Sequence, residues 1–163
     1  MDFMPVDLKK HALSLLRLSQ KFLVEDGDLD PTAFIITGDD QLLRPIDLHD
    51  EPAKRESCAK VVNEARQKNA MAIITIFLAR SKDFDREDFA KEAYSWGDIQ
   101  EGNSERCILV TLSGPGTKNW AAALPFELKN GKTVFEKRVE FAKGVDLGLF
   151  PGWSEQITSP RVT

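Results

Sequence analysis

The sequence predicts an α+β fold: a two-layer domain with a mainly antiparallel sheet of five to six strands and two main helices on one face. Three observations predict it. The runs Met71 to Ala79 and Cys107 to Leu112 are almost continuously apolar and rich in β-branched residues, as central strands covered on both faces are. Asn130-Gly131 stands between two strand-like segments, and a two-residue hairpin turn needs positive φ at both central positions. Two other segments repeat their apolar residues at helical spacing. The element order that results is α-β-β-α-β-insert-β-β-β.

The first helix is expected from about Val6 to Val24. Leu8, Ala12, Leu15, Leu16, Phe22 and Leu23 form its apolar stripe, and Lys9, Lys10, Arg17 and Lys21 its polar side. Pro5 stands at the start, where a missing N–H costs nothing, and Gly27 is free to take the left-handed cap at the end. A hairpin follows: Ala33 to Ile36, a turn at Gly38-Asp39-Asp40, and a return from Gln41 to Ile46. Pro45 cannot donate a ladder hydrogen bond, so the return strand belongs at an edge.

The second helix is expected from about Pro52 to Lys68, capped by Asp50 or Glu51. Cys58, Val61, Val62 and Ala65 make a narrow apolar stripe, with Lys54, Arg55, Glu56, Lys60, Glu64 and Arg66 on the solvated side. The segment from Ser81 to Glu105 is charged and carries Phe84, Phe89, Tyr94 and Trp96. It reads either as a short helix capped by Asp85 and running through Glu92, or as a strand from Glu92 to Trp96. Trp120, Ala122, Leu124 and Phe126 then alternate along one face of a strand, and Thr133 to Val139 pairs back across the Asn130-Gly131 turn.

At 163 residues the chain reads as a single domain over 1–163, with a folded core over 1–143 and an irregular tail over 144–163 that is rich in Gly and Pro. Hydrophobic residues make up 42% and charged residues 29%, ordinary globular values that argue against disorder. The 26 acidic residues outnumber 22 basic ones and the bases are spread along the chain. A nucleic-acid surface needs concentrated positive charge, so none is expected. The first residues lack the basic and apolar regions of a secretory signal, and the longest apolar run is too short to span a bilayer of about 20 residues. A cytoplasmic protein that meets no membrane is the expectation. Cys58 and Cys107 both fall in apolar patterns and read as buried thiols, with a disulfide or redox pair as the alternative.

The element order resembles that of small profilin-like modules, including the dimerising Roadblock type. The likeness is one of architecture, and it assigns no residue a role.

One segment suggests chemistry. Asp47, His49 and Glu51 alternate just before the second helix, and imidazole with carboxylates suits a divalent metal or a general base. The same acids are also ordinary helix-start residues. The other histidine, His11, lies on the first helix, so a two-histidine site needs the fold to bring them together. Ser113-Gly114-Pro115-Gly116-Thr117-Lys118 is glycine-rich with a lysine, but it lacks phosphate-loop spacing and precedes a strand, so it reads as a hairpin connection. No nucleophile elbow or dinucleotide fingerprint is present in the sequence.

The aromatic residues point instead to binding. Trp120 reads as core. Trp96, Phe150 and Trp153 stand in polar or Gly/Pro-rich surroundings and are the candidates for partner contact. The function expected is therefore a non-enzymatic protein-interaction module, self-associating through a sheet edge or the aromatic tail. The alternative is a small metal-dependent hydrolase or ligand-binding enzyme using Asp47, His49 and Glu51. Neither a cofactor nor a small-molecule ligand is expected.

Overall fold

The computed structural model describes residues 5–38, 40–80, 106–115, 117–141, 149–150 and 153. In order, they form α1 (Pro5–Asp26), β1 (Thr32–Ile36), β2 (Gln41–Pro45), α2 (Glu51–Gln67), β3 (Ala72–Arg80), β4 (Arg106–Gly114), β5 (Thr117–Lys129), β6 (Lys132–Phe135) and β7 (Val139–Phe141). The readings placed on Ser81 to Glu105, Trp96 among them, lie outside the described residues.

The strands make one sheet in the order β2-β1-β3-β4-β5-β6, with β7 also on β5, and every pairing is antiparallel. The expected class, α+β on an antiparallel sheet, is the one observed. β2 and β3 flank β1, so α2 is the crossover that carries the chain over β1. β2 is an edge strand and Pro45 is its last residue, as the missing donor of proline requires.

The placement of the helices departs from expectation. Successive residues of β3 belong to different cores: Ile73 and Phe77 to one, Ile74 and Ile76 to the other. Leu8, Ala12, Leu15, Leu16 and Leu23 of α1 pack with the second set, and Cys58, Val61, Val62 and Ala65 of α2 with the first. The two helices therefore lie on opposite faces, not on one. The physical reason is in the strands themselves. β3 and β4 are apolar on both sides, so each side needs a cover, and one helix lies on each.

Two side chains on the helices also lie elsewhere than the stripes implied. Phe22 is exposed, and Ser19 takes its place in the core, with its Oγ donating to the Leu15 carbonyl at 2.9 Å. A stripe through 8, 12, 15, 16, 19 and 23 follows the helical period more closely than one through 22. Lys54, expected in solvent, is only 7% exposed. It precedes Cys58 by one turn and so sits on the buried stripe, while its Nζ reaches Glu51 at 3.2 Å.

The helix ends follow capping chemistry. Asp50 caps α2 by accepting the Ala53 N–H at 2.8 Å. At the other end Asn69 takes φ +53°, Ala70 N donates to Ala65 O at 2.9 Å and Asn69 N to Arg66 O at 3.2 Å. These are the two bonds of a Schellman cap, here with Asn in the left-handed position. Gly27 closes α1 at φ +77°, its N–H bonded to Leu23 O at 2.8 Å.

The last hairpin turns at Asn130 (φ +52°) and Gly131 (φ +77°), as expected. The returning chain is not one strand, however. Phe126 pairs with Phe135 and Ala123 with Val139, so three steps along β5 match four on the return. The extra residue is a β-bulge, and it separates β6 from β7. Pro125 lies opposite the break. Its carbonyl accepts Glu136 N at 2.8 Å, and N and O of one strand residue face the same edge. The missing N–H of Pro125 thus falls at the bulge, and the β4 ladder loses nothing.

The tail is docked. Leu149 and Trp153 are buried in the α2-side core, with Phe150 packed against it. Trp153 is 2% exposed, and its Nε1 donates to Ser113 O at 3.2 Å.

At Gly131 a built Cβ meets nothing within 4 Å, so conformation alone opposes a side chain there. Gly131→Val is expected to destabilise the protein by about 1–3 kcal/mol, as for other non-glycine residues held at positive φ, read from the urea midpoint.

Candidate functional site

The residues that suggested chemistry lie where β2 leads into α2. Ile46 and Leu48 are buried and Asp47 and His49 exposed, the alternation of an extended chain. Asp47 and His49 therefore share the solvent side, as the sequence implied. Asp47 N–H is fixed by Ser57 Oγ of α2 at 2.9 Å. Glu51 does not join them. It is the first residue of α2, and its carboxylate turns to Lys54 at 3.2 Å and Arg55 at 3.8 Å.

The third carboxylate of the cluster is Asp50, which the sequence reading had used only as a cap. Its Oδ1 takes the Ala53 N–H, and its Oδ2 lies 2.9 Å from His49 Nε2. On the other side of the ring, His49 Nδ1 lies 2.7 Å from Asp47 Oδ1. Both ring nitrogens thus face carboxylate oxygens, which suits the imidazolium, whose two nitrogens both donate. Hydrogen bonding to Asp47, with the charges of Asp47 and Asp50, raises the His49 pKa above its ordinary value of 6.5. The bond to His49 holds Asp47 below the usual carboxylate range. In the imidazolium form, a ring held in this way offers no lone pair to a metal. Among the described residues no group of three His, Cys, Asp or Glu side chains is placed to hold a metal ion.

Beside the cluster runs a groove of about 550 Å³ between β2 and α2, lined by Arg44, Asp47, Ser57, Lys60 and Glu64, among others. A bidentate ion pair crosses it: Arg44 Nε to Glu64 Oε1 at 2.7 Å and Arg44 Nη2 to Glu64 Oε2 at 2.6 Å. This pairing keeps Glu64 below the carboxylate range. It ties the edge strand to the helix and spends the charge that a ligand in the groove would use.

The two histidines do not converge. His11 Nε2 on α1 bonds Gln41 Oε1 at the start of β2, while His49 is held by Asp47 and Asp50. The cysteines share the α2-side core as free thiols. Burial pushes Cys58 up to about 11 and Cys107 further in the same direction, so neither is a thiolate at neutral pH. The glycine-rich segment is the β4–β5 connection, with Gly114 paired to Thr117.

The surfaces proposed for a partner are also reordered. Trp153 is core, Phe150 is half-buried, and Trp96 lies outside the described residues. The β2 edge is closed in part by its own groups. Thr37 N bonds Asp40 O, and Ile46 N bonds Pro31 O, which sets 42, 44 and 46 inward and 41, 43 and 45 outward. Of these, Gln41 N–H is taken by Asp40 Oδ1 at 3.1 Å, Leu43 C=O by Arg44 Nη1 at 2.8 Å, and Pro45 has no N–H. Such an edge discourages strand addition.

What the sequence reading missed is apolar exposure on the α1 side. Leu18 is 47%, Phe22 45% and Leu43 55% exposed, and Val24 (57%) and Leu128 (55%) are exposed toward the β5–β6 side. The His11–Gln41 bond shows which flank of α1 faces β2. Leu18 and Phe22 follow His11 by seven and eleven residues and share that flank. Leu43 pairs with Phe34, a residue of the α1-side core, so it lies on the same face of the sheet. The available signal was Ser19: its fit to the buried stripe displaces Leu18 and Phe22 from it. A comparison with protein-family models, curated proteins and solved structures returns no significant match.

Because the His49 pKa is raised, the cluster stabilises the fold below the ordinary histidine value and loses that contribution as pH rises through the raised one. Asp47 behaves oppositely, and its contribution is lost as pH falls through its lowered pKa. The pair is therefore strongest between the carboxylate range and the His49 midpoint. An NMR titration of the ring is expected to place His49 above 6.5 and to show the midpoint falling in Asp47→Asn.

Proposed function

We propose that the chain is a protein-interaction module that docks its partner on the flank between α1 and β2. The observation that carries this reading is that Leu18, Phe22 and Leu43, each about half exposed, lie on the same face of the sheet, on the side of α1 toward β2. Scattered exposed apolar residues are ordinary, but a cluster beside a helix marks a surface made to be covered. The polar rim is present as well. Lys10 and Ser14 lie exposed along α1 toward its start, and Glu25 and Asp26 at its end. An apolar centre within a charged surround is the common anatomy of a non-obligate interface.

The electrostatics of the β2–α2 groove support binding over catalysis. Asp47, His49 and Asp50 satisfy one another, as do Arg44 and Glu64, and pairs of this kind fix a loop and an edge strand in place. They make a rigid frame beside the docking flank, which limits the ordering cost of association.

Replacing Phe22 with a photo-crosslinking benzoylphenylalanine tests the reading in cells that produce the protein. Val134 is exposed too, but its partner Glu127 places it on the α2 side of the sheet, so it serves as the control. A discrete adduct from position 22 and none from position 134 is expected. No adduct from position 22, or equal adducts from both, would overturn it.

A further inference from the structure

We infer that the ring of His49 is a proton-operated clasp between the chain leaving β2 and the start of α2, closed as the imidazolium and released on the Asp50 side when the ring is neutral. The inference is independent of the docking reading above. It starts from the local chain. Ile46 and Leu48 are buried and anchor the segment, which leaves Asp47 and His49 outward. Asp47 is held by its N–H, which Ser57 Oγ accepts at 2.9 Å, and its Oδ1 accepts the His49 N–H at 3.1 Å. Asp50 is held from the other side, as the cap of α2, by the Ala53 N–H on its Oδ1 at 2.8 Å. The ring joins the two aspartates, with Nδ1 2.7 Å from Asp47 Oδ1 and Nε2 2.9 Å from Asp50 Oδ2.

A carboxylate oxygen only accepts, so both contacts are hydrogen bonds only while both ring nitrogens carry protons. A neutral ring keeps one proton. Its other nitrogen then turns a lone pair on a carboxylate, and that contact opens. The geometry selects which one. Asp47 is the nearer acceptor, and the same oxygen holds the His49 backbone, so Nδ1 keeps its proton and stays. Asp50 keeps its cap through Oδ1, while Oδ2, on a half-exposed side chain, turns to water. The bond made by one ring nitrogen sets the tautomer of a neutral histidine, and here it sets Nδ1–H. Ser57 holds Asp47 in both states, so the release is confined to the junction of His49 with Asp50. The other charged groups of the packed elements are engaged elsewhere: Glu51 with Lys54 and Arg55 on α2, and Arg44 of β2 with Glu64 of α2, while Glu56 and Lys60 line the groove. Among the described residues, the charges that act on the ring are those of Asp47 and Asp50, and both raise its pKa. The clasp is therefore closed below the raised His49 midpoint and opens as pH rises through it. At the acid end it is lost when Asp47 is protonated, below the usual carboxylate range. One proton thus decides whether the first turn of α2 is tied to the chain before it.

Nitrogen-15 NMR of the full chain, titrated from about pH 5 to 9, tests the inference. Above the midpoint the ring is expected as the Nδ1–H tautomer. The Ala53 amide should titrate with the ring, because Asp50 is its acceptor and loses the imidazolium. Asp50→Asn separates the clasp from the cap, since asparagine caps a helix as well as aspartate does. In that variant the His49 midpoint should fall, and the Ala53 amide should no longer follow it. An Nε2–H ring at high pH would show that the release is on the Asp47 side and overturn the assignment. An Ala53 amide that ignores the His49 midpoint, or a midpoint unchanged in Asp50→Asn, would overturn the clasp itself. None of these readouts involves a partner, so the crosslinking result at position 22 stands apart from them.

Discussion

The two-sided burial of β3 and β4 is the constraint from which the rest of the structure follows. Ile73, Phe77 and Leu109 face α2, and Ile74, Ile76, Ile108 and Val110 face α1. A fully buried side chain of this size contributes about 1.5–3 kcal/mol, so an uncovered face would be a large loss. One helix per face meets that demand. On the α2 side the helix lies over β1, and Leu149 and Trp153 complete the cover, with Trp153 fixed to Ser113. At the middle of that side Thr75 and Thr111 stand opposite each other on neighbouring strands. Their hydroxyls bond each other, and no water is needed to satisfy them.

The surface chemistry is subordinate to this core. The β2 edge carries a partly self-satisfied backbone and an ion pair to α2, and the loop after it is held by Ser57, Asp50 and His49. Acids and bases there neutralise one another in place, which is the behaviour of a structural corner. Apolar side chains also stay exposed. Leu18, Phe22 and Leu43 are left uncovered because α1 lies over β3 and β4, at the middle of the sheet, and its flank toward β2 has no further element of the described chain on it. The proposed docking surface is thus a consequence of where the helix must sit to protect the central strands.

Much of this was legible in the residues. The apolar runs, the Asn130-Gly131 turn and the Pro45 edge located the sheet, because each depends on local backbone chemistry. The positions of the helices were not legible in the same way. Amphipathic stripes state that a helix packs, and not on which face. The near-continuous apolarity of β3 and β4 already implied two covers, and that implication outweighs the simpler layering. Single side chains went astray where two phases of a helix compete: Ser19 against Phe22 on α1, and Lys54 with its long stem on α2. At the candidate site the alternation of Asp47 and His49 was legible, while the turn of Glu51 into the helix and the double use of Asp50 depend on the cap geometry. Trp153 was open in the sequence because Gly and Pro around it fit a docked tail and a free one equally.

The central claim is that β3 and β4 are sealed on both faces in the register that sets Thr75 against Thr111. A double-mutant cycle in urea addresses it directly. Thr75→Val or Thr111→Val alone strands one buried hydroxyl, and each is expected to destabilise the protein by about 1–3 kcal/mol. The double variant removes both hydroxyls at constant shape and is expected to return to within about 1 kcal/mol of the parent protein. Additive losses, or single variants with no effect, would contradict the account.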